Sequence, residues 1–115
     1  MFEKNLRLAM LFDLYGELLT DTQKTMFDLY YNDDLSLAEI SENTGITRQG
    51  VRDSIKRGEE LLLSWEEKLG LAEKLVRIEA AAEKVEPLLK SLEEKYPEDA
   101  AAFQKISELL GACRL

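Results

Sequence analysis

Apolar residues recur in this chain at helical spacing. Leu6, Met10 and Leu14 stand four apart, and Ala9 and Phe12 widen the stripe, which predicts a first helix from about Phe2 to Tyr15. Thr20 and Gln23 have the spacing of a capping box, in which each side chain satisfies the other's orphan backbone N–H. A second helix should run from there to about Asn32, with Met26, Phe27, Tyr30 and Tyr31 as its apolar surface and Asn32-Asp33-Asp34 as its stop. Adjacent tyrosines can stack on bases, but aromatic core with polar tips is the commoner use. Ser36 and Glu39 repeat the capping-box spacing and open a third helix, Leu37 to Thr44, with Ala38 and Ile40 as its contacts. Gly45 ends it where the chain must turn through positive φ, Ile46 plugs the turn, and Thr47 caps a fourth helix.

Two helices joined by a short turn containing glycine form the helix-turn-helix signature, whose second helix enters the major groove by its N-terminal residues. At about 100° per residue, Val51, Ile55, Gly58 and Leu62 share one face of the fourth helix, which is expected to be buried. Arg48, Arg52 and Lys56 make a rail along one side, and Gln49 and Asp53 lie beyond it. Glutamine can read adenine, and arginine can read guanine or hold phosphate. Thr47, Arg48, Gln49, Arg52, Lys56 and Arg57 are therefore the candidate nucleic-acid-binding residues. The competing reading is a solvated face, with Arg52, Lys56 and Arg57 paired to Asp53, Glu59 and Glu60.

Past Gly70 the pattern changes. Leu71, Leu75, Ile78, Ala82, Val85, Leu89 and Leu92 alternate spacings of four and three, a heptad seam. Pro87 should kink or end that helix near Glu86. After Pro97, Ala100 to Leu110 reads as a last helix, with Ala102, Phe103, Ile106, Leu109 and Leu110 on its apolar face. The expected organisation is all-α: a helix-turn-helix domain over residues 1–70, and a helical extension over 71–115 that dimerises or docks. The seam needs a cover, either the chain's own N-terminal helices or a second copy, and a homodimer is expected.

Composition narrows the chemistry. The 115 residues contain no histidine and one cysteine, so neither the usual acid/base group near neutral pH nor a zinc cluster is at hand within the chain. Adjacent carboxylates such as Glu59-Glu60, Glu66-Glu67 and Glu93-Glu94 point about 100° apart on a helix, which suits solvated surface for most such pairs. No cofactor, metal or catalytic residue is expected, and the protein is not expected to be an enzyme. No apolar run approaches the ~20 residues that span a bilayer, and the N-terminal segment does not match a secretory signal. The lone Cys113 fits a cytoplasmic protein. The net charge is -8, yet Thr47 to Arg57 holds four cations against one anion.

The stretch Leu19 to Gly70, with LYYNDDLSLAEI followed by ITRQGVRDSIKRGEELL, resembles the YlxM-type family of small bacterial proteins, which is similar to region 4 of sigma factors. The resemblance implies an all-helical protein, a DNA-binding role and a link to the signal-recognition-particle pathway. Two positions depart from the motif. Ser41 stands where a small residue such as alanine is usual and must find a hydrogen bond if buried. Gly50 also replaces a small residue, at a cost of about 1 kcal/mol relative to alanine.

Three functions fit. The first is a sequence-specific DNA-binding regulator. The second is a modulator that binds a protein or ribonucleoprotein, such as the signal recognition particle. The third is a sigma-like mimic that docks on transcription machinery without reading DNA. Residues 1–70 carry 8 cations and 14 anions, which weighs against non-specific DNA binding because that affinity comes from neutralising phosphates. DNA binding ranks first on the local cationic rail.

Overall fold

Hydroxyl side chains mark where helices begin in this chain. In the computed structural model, which describes residues 6–114, Thr20 and Ser36 each accept from the backbone N–H three residues on, and Gln23 and Glu39 return the bond. Among the described residues the fold is all-α. Its helices are α1 (Leu6–Tyr15), α2 (Asp21–Phe27), α3 (Leu37–Thr44), α4 (Arg48–Leu69), α5 (Leu71–Lys95) and α6 (Ala100–Ala112). The expected start of the first helix lies outside the described residues. α2 continues as a π-helical stretch, Asp28–Asn32, so the second helix reaches the predicted stop. Two compact units result, Met1–Ala72 and Glu73–Leu115.

The first unit is built around α4. Leu11, Phe27, Tyr30, Ile40, Val51, Ile55 and Leu62 are fully buried together. Phe27 stacks between Phe12 and Tyr31, with ring centroids 5.1 and 4.7 Å away. Gly58 makes room for that stack: a Cβ there would lie 2.9 Å from Phe27 Cε2. The tyrosines are thus used as core, with Tyr30 buried and the half-buried Tyr31 donating its hydroxyl to Glu59 at 2.6 Å.

A buried carboxylate closes the unit. Glu66 is 6% exposed and follows Leu62 by one turn of α4, so of the Glu66-Glu67 pair expected at the surface only Glu67 is there. Its Oε1 accepts from the Tyr15 hydroxyl at 2.7 Å and from the Ala72 backbone N–H at 2.9 Å, while the Leu71 N–H donates to the Tyr15 oxygen. Two orphan N–H groups at the start of α5 are satisfied in this way. Gly70, at φ +62°, supplies the left-handed turn that aims them at Glu66. Burial, and then the bond to Glu66, hold the Tyr15 hydroxyl above its usual pKa. Glu66→Ala removes this acceptor from a buried site and is expected to destabilise the protein by about 1–3 kcal/mol. Glu66→Gln, which keeps an acceptor oxygen, should cost less; denaturant titration of both variants checks the order.

In the second unit α6 returns along α5. As the α5 partner moves back from Glu93 to Glu86 to Glu79, the other partner advances from Gln104 to Ser107 to Arg114, so the pairing is antiparallel. The Arg114 guanidinium, hydrogen-bonded to Glu79, holds that carboxylate below its usual pKa. Of the two outcomes open at Pro87, an end near Glu86 does not occur: α5 runs through it to Lys95. A mid-helix proline deprives the carbonyl four residues back of its donor, and because Pro87 is exposed, water can reach that face.

Candidate nucleic-acid interface

The turn between α3 and α4 is fixed by short polar bonds. Gly45 sits at φ +76°, and its N–H donates to the Ser41 carbonyl. The Ser41 hydroxyl donates to the Ile46 carbonyl at 2.6 Å, which is the bond that this half-buried serine requires. Thr44 donates its hydroxyl to the Ile40 carbonyl and accepts the Ile46 N–H. Thr47 then caps α4, accepting the Gly50 N–H at 3.1 Å. A Cβ at Gly50 would lie 2.9 Å from Ile46 and 3.1 Å from the Thr47 hydroxyl, so this glycine lets the turn fold tightly onto the helix.

Val51, Ile55, Gly58 and Leu62 are buried, as their spacing predicts, and this sets the rotation of α4. Arg48, Gln49, Arg52, Lys56 and Arg57 are consequently exposed. The pairing expected of a solvated face is only partly made. Arg57 lies 3.6 Å from Glu60, but Glu59 is engaged by Tyr31 and Asp53 by Gln49. Arg48 and Lys56 make no ion pair among the described residues. Gln49 donates one amide N–H to Asp53 at 2.8 Å and keeps its carbonyl oxygen and second N–H for other partners.

Three of the six sequence-predicted residues meet at one place. Arg48, Gln49 and Arg52 line a cleft of about 340 Å3 with Ser36, Leu37 and Ala38 from the start of α3. Thr47 is held as the cap, and Lys56 and Arg57 lie further along α4, outside the cleft. The contribution of Ser36, Leu37 and Ala38 was not read from sequence, where Ser36 served as cap, Leu37 as the first helical residue and Ala38 as a contact. The available signal was the short turn, which brings two helix starts to the same side. The arrangement offers cations and an amide along one side of this cleft, beside the positive end of a helix dipole.

Comparison with known proteins agrees with this architecture. Residues 2–109 match a family model, UPF0122, described as "Putative helix-turn-helix protein, YlxM / p13 like". A UPF0122 protein of Clostridium kluyveri is 54% identical over 77 residues, covering 67% of this chain and 69% of that protein. One from Lactococcus lactis subsp. cremoris is 45% identical over 108 residues, covering 93% and 90%. One from Streptococcus gordonii is 42% identical over 108 residues, covering 93% and 91%. With its model matched over nearly the whole length, and relatives this similar across both units, this chain belongs to the UPF0122 family of YlxM / p13-like helix-turn-helix proteins.

Proposed function

We propose that this protein is a cytoplasmic DNA-binding regulator that lays the start of α4 in the major groove. The observation that carries this reading is the outward face of α4, where Arg48, Arg52 and Lys56 follow at four-residue intervals in a chain of net charge -8. Arg48 and Gln49 stand where a recognition helix meets base edges; Arg52 and Lys56, one and two turns on, follow the phosphates. The acidic background makes non-specific binding weak, so function depends on a preferred site. The protein acts as a homodimer joined through residues after Gly70, a reading supported by the exposed Leu88 and Leu92.

A selected-oligonucleotide screen on the pure protein tests this reading. It is expected to enrich a sequence, with two half-sites about one helical turn apart. Lys56→Ala is expected to weaken binding about equally on all sequences and to reduce the salt slope by ~1. A variant that changes sequence preference instead would remove Lys56 from the backbone. No enriched sequence at low salt overturns DNA reading altogether.

The excess of 14 anions over 8 cations in residues 1–70 favours a second reading. In it the same fold binds a protein or ribonucleoprotein, either the signal recognition particle or transcription machinery, without reading DNA. Affinity capture from bacterial cytosol, with and without nuclease, separates the two: DNA fragments support the first, and particle components support the second.

A further inference from the structure

The second unit carries a groove that DNA reading leaves unused. It has a volume of about 740 Å3 and runs between α5 and α6. Pro87, Leu89 and Phe103 supply its apolar lining. Glu83, Glu86, Glu93 and Glu108 stand along it, with Lys90 as the one cation of the lining among the described residues. A smaller hollow of about 380 Å3 shares Lys90 and Glu93 and extends the groove to Glu94 and Pro97. From Glu83 to Glu94 is about three helical turns, or roughly 16 Å.

These carboxylates are mostly left without cations. Glu86 accepts from the Ser107 hydroxyl and Glu93 from the Gln104 amide, neutral donors that orient the groups and leave their charge in place. Glu108 has Lys105 at 3.8 Å, on the surface. Arg114 is spent on Glu79 and contributes only its field at Glu83 and Glu86. The groove is therefore apolar at its base and anionic along its length.

We propose that this groove binds a cationic amphipathic helix of another protein. Such a helix sets an apolar ridge on Leu89 and Phe103 and aligns lysines or arginines with the glutamates, the helix-in-groove mode of recognition. Charge complementarity singles out this occupant. A second copy docked groove to groove would oppose carboxylate to carboxylate. The rail of α4 from a second copy has the charges but no ridge, because Val51, Ile55 and Leu62 are buried in its own core. Leu88 and Leu92 lie about 140–180° around α5 from Glu83 and Lys90, so a dimer through that flank leaves this charged side of the groove uncovered.

Fluorescence anisotropy on the full-length protein tests the proposal with three labelled 15-residue peptides. One has a leucine ridge flanked by lysines, one has the lysines replaced by glutamate, and one has the leucines replaced by alanine. The first is expected to bind and the other two to bind at least tenfold more weakly. Glu83→Lys combined with Glu93→Lys should weaken the first peptide at least tenfold. Lys90→Glu should tighten it, a gain that misfolding cannot produce. Equal binding of the leucine and alanine peptides, or no response to either variant, overturns the proposal. If no peptide binds and the double variant turns a dimer into a monomer, the groove belongs to a second copy and the proposal also fails.

Discussion

Ile55→Ala is expected to lower stability by about 2–5 kcal/mol, the range for truncating a buried isoleucine where the surroundings cannot close the gap. Ile55 is 0% exposed and shares its cluster with Phe27, Ile40, Val51 and Leu62. That cluster has little freedom to collapse. Phe27 is pinned between two rings and against Gly58, and the start of α3 is fixed by its capping box. At about 4 °C per kcal/mol for a chain of this size, Tm should fall by roughly 8–20 °C. Thermal melts followed by circular dichroism measure it. An unchanged melt would mean that α4 is rotated away from this face, and the cationic rail would then point into the molecule.

The residues that make this expectation legible in sequence act locally. A capping box, a glycine after the last helical turn and apolar residues at helical spacing each declare themselves within a few positions. Hence Ser36, Gly45, Thr47 and the Val51–Leu62 stripe were all readable. Glu66 was grouped with Glu67 as a surface pair, yet it is buried and continues the stripe one turn past Leu62. A carboxylate on an apolar face signals a buried partner, but that partner is Tyr15, 51 residues away, and no local pattern supplies it. Gly50 misled in the same way: propensity counts only its lost helix stability, whereas the nearness of Ile46 emerges only once the turn has closed.

The second unit shows a different limit. A heptad seam states that apolar surface will be covered, and it does not state by what. Here α6 returns along α5 through Ser107, Gln104 and Arg114, polar residues whose partners no periodicity reveals. Pro87 was read for the hydrogen bond it removes, and α5 nevertheless continues because a single missing donor on an exposed face is a local loss. At the candidate site, sequence spacing ordered the residues of α4 correctly around its axis. The cleft they share with α3 required the turn between the helices to be built first.

On binding, the largest effect is expected from reversing Arg48 and Arg52 to glutamate together. Both are exposed and both line the cleft at the start of α4. A bidentate base contact is worth about 1–3 kcal/mol, roughly 5- to 150-fold in affinity, and the phosphate contact assigned to Arg52 is lost in addition. The introduced carboxylates also repel phosphate where the wild type attracts it. Folding should be spared. The first turn of α4 contains no acidic residue, and a carboxylate near a helix N-terminus interacts favourably with the helix dipole. Neither side chain belongs to the buried cluster around Ile55. The variant should therefore melt within a few degrees of the wild type while failing to enrich any sequence from a random pool. If it melts normally and still selects the wild-type sequence with wild-type affinity, α4 does not read DNA. The fold would then serve a protein or ribonucleoprotein partner, as the acidity of residues 1–70 suggests.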